Sequence, residues 1–366
     1  MKKMVAPFLT ALILLSACAK KGPEAPKLPV RNVCVEQAEM RKLELEAENV
    51  PFWLENGARG RILVRLSNIE GLQPVDEGAM DNLAGMADKK DIAAVRAAAL
   101  GDRPAFTSLN TLFVAKRLGI VDEVYWVVPI FGSIADQDIE GFKKYLKDKL
   151  PGREKDIDGL KLAGNVVQGA INGVPLKLMG LEDVQKIDKP VLLSLDGSYF
   201  AALYKDEKQT RMLSFISGFF ITLRKWGLRS DMVTFSMSNA DGNSPLKFRF
   251  VGSYLRELFT DPKKIDADPP ALWTEREDAW KAEQRSYKEA VPIYKKIAKE
   301  FPADAASRFD LSVAYFKLGR FDESKKELDE ATKLDEGYGI AYRELARATG
   351  AKGAPDNEQR QPAAGK

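Results

Sequence analysis

The chain contains no histidine, and its 366 residues include only two cysteines. Histidine is the usual general base near neutral pH and the commonest metal ligand, so its absence excludes Ser/His and Cys/His dyads and argues against most zinc sites. There is no Walker loop, no GxGxxG after a strand, no GxSxG and no CxxC. Neither sign of charge dominates: the net charge is +3, and +1 once the first 17 residues with Lys2 and Lys3 are set aside. Such a balance supplies no global electrostatic reason to seek nucleic acid. What remains is 45% apolar and 30% charged, an ordinary globular composition in a chain long enough for two domains and a sizeable core.

The N-terminus carries a location signal. Lys2 and Lys3 form a positive region, and Val5 to Leu15 is an apolar stretch too short to span a bilayer. It runs into Leu15-Ser16-Ala17-Cys18, which resembles the bacterial lipobox. The resemblance implies removal of residues 1–17 and lipidation of Cys18, which would anchor the protein to a membrane without spanning it. Ala19, in place of an aspartate after the cysteine, favours the outer membrane and its periplasmic face under enterobacteria-like sorting. With Cys18 acylated, Cys34 has no intrachain partner and is a free or an intermolecular thiol. Residues 18–34 are rich in Lys and Pro and read as an extended tether.

Glu36 to Asn49 has helical composition and stops before Pro51, which predicts an amphipathic entry helix. Beyond it strands and helices alternate. Arg61 to Leu66, Glu123 to Ile130, Pro190 to Leu195 and Asp231 to Ser236 read as strands. Ala79 to Leu100, Leu109 to Leu118, Asp136 to Leu150, Thr210 to Trp226 and Phe248 to Phe259 read as helices. Leu160 to Leu181, broken by four glycines, reads as a hairpin or a small inserted sheet. This alternation predicts an α/β body over residues 35–262 with a mainly parallel sheet. The organising stretch is Lys189 to Phe200 (KPVLLSLDGSYF), a buried strand ending on the lone carboxylate Asp196, where open α/β sheets place their ligands.

Asn110 to Pro129, Pro190 to Phe200 and Asp231 to Glu257, with Arg61 to Glu70 set against a further strand, resemble the arginase and deacetylase-like three-layer fold. The resemblance implies a metal-dependent hydrolase, but the positions that would hold the metal have changed. Ser194, Asp196 and Ser198 stand where the family alternates aspartates, and Ser67 and Ile69 stand where it has Asp and His. One aspartate cannot hold a cation and generate hydroxide, so no metal or other cofactor is expected and the body reads as catalytically silent. Glu70, Asp136, Asp138, Asp196 and Asp241 all fall after strands and could form an oxygen site only by converging. Alone, Asp196 suits a hydrogen bond to its own turn. Tyr125 and Trp126, adjacent on a strand, face opposite sides and read as core.

Residues 263–270 form a linker, and from 271 to 350 the chain is helical with a 34-residue period. Tyr287, Ala290, Tyr294 and Ile297 recur as Phe321, Ser324, Leu328 and Ala331, which resembles the tetratricopeptide repeat. The unit at Ala305 to Leu334 is the clearest. The earlier one carries Trp273 and Trp280 among charges and Pro292 inside its second helix, where a kink or restart is expected. The family lines its concave surface with the first helix of each unit, which nominates Phe309, Val313, Phe316, Arg343 and Arg347 for a protein partner. An alternative is that this short array docks on the body and buries its phenylalanines there. Residues 351–366 form a polar tail of disordered composition. These features predict an envelope adaptor with an unidentified protein partner. The alternative is a hydrolase or small-molecule receptor using a cleft of Asp196, Ser194, Ser198, Ser67 and Glu70.

Overall fold

The computed structural model describes residues 28–204, 209 and 211–349, with the side chains of residues 344 and 347–349 left out. The signal segment, Cys18, most of the tether and the tail lie outside the described residues. Nine strands among those described form one sheet: β1 (Arg31–Asn32), β2 (Met40–Leu43), β3 (Arg61–Leu66), β4 (Val121–Val127), β5 (Lys161–Ala163), β6 (Val166–Ile171), β7 (Val174–Met179), β8 (Val191–Asp196) and β9 (Arg229–Ser236). Their order is β1-β9-β8-β3-β4-β7-β6-β5, with β2 also paired to β9. Neighbouring pairs from β2 through β9, β8, β3 and β4 to β7 are parallel, while β1, β6 and β5 attach antiparallel. The glycine-broken region is therefore an antiparallel meander, β5–β6–β7, whose last strand joins the main sheet beside β4. The turn between β6 and β7 is Asn172-Gly173, both at positive φ, which matches the twist of the flanking strands.

Alternation along each strand separates two cores. Val64, Leu66, Leu193, Leu195, Val233 and Phe235 face one side, covered by the helices Gly197–Leu203, Met212–Trp226 and Arg249–Thr260. Leu63, Val124, Trp126, Leu192 and Met232 face the other, under Asn49–Glu55, Glu77–Asp88, Ile92–Leu100 and Thr111–Arg117. The body is thus a mixed α/β fold with helices on both faces of a mostly parallel sheet. Among the described residues no helix is long and apolar enough to cross a membrane.

Four local expectations need correction. Glu36 to Asn49 is not a helix: Met40 and Leu43 bury themselves as β2 against β9, and sheet pairing overrides weak helical propensity. The helix that follows, Asn49–Glu55, contains Pro51 in its first turn, where a missing N–H costs nothing. The tether ends earlier than residue 34, since Arg31–Asn32 pair with β9 and Val33 and Cys34 are fully buried, with the Cys34 thiol pushed up by burial. The linker is anchored: Pro262–Asp266 form a short helical turn, Ile265 packs on the core, and Arg224 donates to the Pro262 carbonyl at 2.9 Å and pairs with Asp266 at 3.0 Å. Finally, the helix Tyr287–Glu300 runs through Pro292 without interruption.

The C-terminal region pairs Ala271–Glu283 with Tyr287–Glu300 and Ala305–Lys317 with Phe321–Leu334, and closes with Tyr342–Thr349. Ala290, Ala314 and Ala331 are fully buried where the helices approach, and the Ser312 hydroxyl donates to the Ser324 carbonyl at 2.8 Å. Its side chains belong to the same contiguous core as β8 and β9.

Candidate functional site

Ser67, Ser194, Asp196, Ser198 and Glu70 all lie at the carboxyl end of β3 and β8, and all are buried. The strand ends bring part of the set together: Ser198 Oγ accepts the Asn68 N–H at 3.1 Å, which ties β3 to the helix after β8. Asp196 Oδ1 accepts the Ser198 N–H at 2.8 Å and caps the helix Gly197–Leu203, and its Oδ2 accepts the Ser238 hydroxyl at 2.5 Å. Ser67 Oγ accepts the Ile69 N–H at 3.1 Å, and Glu70, further along the same loop, accepts the hydroxyl of Tyr145 on the helix Ile139–Lys149 at 2.7 Å. Burial, with the Glu46 charge behind it, pushes the Asp196 carboxyl up to about 7, against the pull of the Ser198 and Ser238 hydrogen bonds.

That shift has a stability consequence. Between the ordinary value near 3.8 and about 7 the folded chain holds a proton that the unfolded chain releases, so stability from this group is lost as pH rises through the window. Asp196→Asn keeps an acceptor for Ser198 and removes the buried charge. Relative to this variant, the wild type should lose stability from pH 4 to 7, by up to about 4 kcal/mol at ~1.4 kcal/mol per unit. Urea unfolding across that range measures it, and parallel profiles for the two proteins would refute the assignment.

The larger polar element beside Asp196 was not expected. Arg65, next to the last residue of β3, reaches Glu46 with both Nε and Nη2, the latter at 2.9 Å, and both residues are buried. Burial pushes the Glu46 carboxyl up, and the Arg65 guanidinium opposes it. Asn49 extends the network, donating to Ser236 Oγ at 3.2 Å and accepting from Thr234 Oγ1 at 2.6 Å. The sequence held one signal for this: an arginine flanked by Val64 and Leu66 inside a buried strand needs a buried partner.

These residues do not fit a metal. Both Asp196 oxygens are already hydrogen-bonded, Asp138 caps its own helix through the Gly141 N–H, Asp241 accepts from Ser108, and Asp136 sits in a separate short turn. Among the described residues no three His, Cys, Asp or Glu side chains are grouped to hold an ion. The carboxyl edge is thus a polar layer whose carboxylates are engaged by protein donors, with Arg65 Nη1 buried and left without a partner.

The second candidate surface is the helical array, and the body fills much of it. Arg249, buried on its helix, donates to Glu44 at 2.6 and 2.7 Å and to Asp335 at 2.6 and 2.8 Å. Phe250 packs edge-on to Trp280 at 5.2 Å, and Tyr254 stacks on Trp273 at 4.2 Å. Phe309 is 7% exposed and stacked on Tyr338 at 4.7 Å, with the Arg249 guanidinium over the Tyr338 ring. It is therefore packed inside the repeat region, beside the Arg249 contact, and not open to a partner. Val313 and Phe316 are half-buried, Arg343 is exposed, and the Arg347 side chain lies outside the described residues. Phe316 meets the exposed Phe321 at 5.6 Å, and Leu318 in the turn between them is exposed as well. This apolar turn continues the surface nominated from sequence.

No curated protein and no solved structure matches the chain significantly. A family model described as the tetratricopeptide repeat matches residues 281–348, so the C-terminal helices form a repeat region of a kind that generally binds protein partners.

Proposed function

We propose that this protein is a lipid-anchored envelope adaptor that recruits a protein partner through its repeat region. The tetratricopeptide match over residues 281–348 carries the reading, because such helices present side chains to other proteins. The side chains left to a partner are Val313, Phe316, Leu318, Phe321 and Arg343, which are half-buried or exposed. The anchor is Cys18, supported by Lys2, Lys3, the apolar stretch Val5 to Leu15 and the Leu-Ser-Ala-Cys quartet, at the periplasmic face of the outer membrane. The body is a silent relative of the arginase-like hydrolases. Support for that is the placing of Ser67, Ser194 and Asp196 at the carboxyl ends of β3 and β8, the positions the family uses for its ligands. A hydrolase at Asp196 is the weaker reading, since that carboxyl is buried with both oxygens engaged.

The test is crosslinking and affinity capture of the anchored protein from its own membrane. Phe316→Glu should cut recovery of a discrete partner by at least ~10-fold, the scale of an aromatic anchor, while leaving the melting temperature close to that of the wild type. Cys18→Ser should release the protein from the membrane. Undiminished capture by Phe316→Glu would remove the adaptor surface, and retention of Cys18→Ser would remove the anchor.

A further inference from the structure

The N-terminal chain joins the sheet at the start of β9, where Arg31 and Asn32 lie opposite Ser230 and Arg229. Val191, the first residue of β8, also lies opposite Ser230, so Lys189 precedes it at the same edge. Arg224, in the last turn of the helix Met212–Trp226, donates to the Cys34 carbonyl at 3.1 Å, which brings their chain neighbours Lys225 and Val35 close. Val30, Arg31, Val35, Lys189, Lys225 and Arg229 thus share one corner of the body. All six are exposed, the valines at 37% and 54%. The corner is unbalanced in charge. Arg61 engages Asp231 at 2.7 Å, Arg224 engages Asp266 at 3.0 Å, and Lys186 engages Asp188 at 3.2 Å. That leaves the four other cations, none ion-paired among the described residues, against Glu36, which accepts the Asn32 N–H at 2.9 Å.

Exposed apolar side chains among unpaired cations suit the boundary of a bilayer, where the first enter the acyl region and the second meet headgroup phosphates. The length of chain leading to the corner points to the same partner. Nine residues separate Cys18 from Leu28, a reach of at most about 36 Å, and among them Lys20, Lys21 and Lys27 outnumber Glu24. An acylated Cys18 would hold this corner within that distance of its membrane. We propose that the corner docks on an anionic lipid surface, with Val30 and Val35 at the headgroup boundary and Arg31, Lys189, Lys225 and Arg229 against the phosphates. The inference rests on the anchor proposed above and adds the orientation of the body. Each cation contributes about 5-fold in affinity, and only within a Debye length of ~8 Å. The corner therefore orients a body that the acyl chains hold, and does not hold it alone.

The test uses residues 18–366 with Cys18→Ser, so that no acyl chain contributes, and phosphatidylcholine vesicles with and without about 30% phosphatidylglycerol at ~20 mM salt. Cosedimentation should show binding to the anionic vesicles alone, released at ~0.5 M salt. Lys225→Gln combined with Arg229→Gln should weaken it at least ~10-fold, with the melting temperature close to that of the wild type, since both side chains are exposed and unpaired. Lys288→Gln combined with Lys299→Gln makes the same charge change on the repeat region, again at exposed positions, and should leave binding unchanged. No binding to anionic vesicles, equal binding to neutral ones, or an equal loss in the two double variants would each overturn the proposal. None of these outcomes bears on the anchor, which the fractionation of Cys18→Ser decides separately at physiological salt.

Discussion

Arg249→Ala should lower the unfolding free energy by about 3 kcal/mol and loosen the repeat region before the sheet, because it strands carboxylates on both sides of the junction. Burial alone would raise the Asp335 carboxyl, but its hydrogen bonds and charge contact with Arg249 hold it below the usual range, and that stabilisation disappears with the guanidinium. Glu44, half-exposed, loses less. Arg249→Lys should recover only part of the loss, since a point charge cannot serve two carboxylates with a planar fork. Gly337 supplies an independent check: a Cβ there would lie 2.1 Å from Arg249 Cζ, so Gly337→Ala must displace the guanidinium. In the Arg249→Ala background the same change should cost little, because the atoms it would strike are gone. Urea unfolding of the four proteins measures the coupling, and limited proteolysis shows which part opens first. Additive effects of the two substitutions would rule out the proposed latch.

Trp280→Ala should cost about 3–5 kcal/mol, the range for removing a buried aromatic. Trp280 is 2% exposed, packs against Phe250 and Tyr204 at 5.2 and 5.6 Å, and carries the Lys247 ammonium over its ring at 4.1 Å. Its indole N–H donates to Asp310 Oδ2 at 3.3 Å. Burial already pushes the Asp310 carboxyl up to about 7 in spite of Arg276, so losing that donor leaves a buried acid still less satisfied. Trp280→Phe keeps much of the ring and removes only the N–H, and should cost about 1–2 kcal/mol. Because the array and the sheet share one core, the wild type should unfold in a single transition followed identically by fluorescence and circular dichroism. A Trp280→Ala loss below about 1 kcal/mol would mean that the array folds apart from the body.

Much of the fold was legible because its signals are local. The Lys-Pro entry and apolar run mark β8, Gly119 closes the helix before β4, and the glycines marked Leu160 to Leu181 as short β structure whose pairing the sequence left open. The tetratricopeptide period was readable for the same reason, since each unit repeats its small and large residues at one spacing. Asp196 capping its own turn followed from the Asp-Gly-Ser order. Two elements were misread where local preference lost to a distant partner: β2, with helical composition, pairs with β9, and Val33 and Cys34 are drawn from the tether into the core.

The amino-acid order by itself determined the α/β alternation, the repeat, and the absence of histidine-based chemistry, because these depend on residue type, period and neighbouring turns. Only the tertiary structure decided that Arg65 meets Glu46, that Arg249 joins Glu44 to Asp335, and that Phe309 faces inward while the Phe316–Phe321 turn stays open. The reason is physical. A buried charge or aromatic declares that it needs a partner, but which partner it meets depends on how the helices settle on the sheet, and no local period encodes that choice.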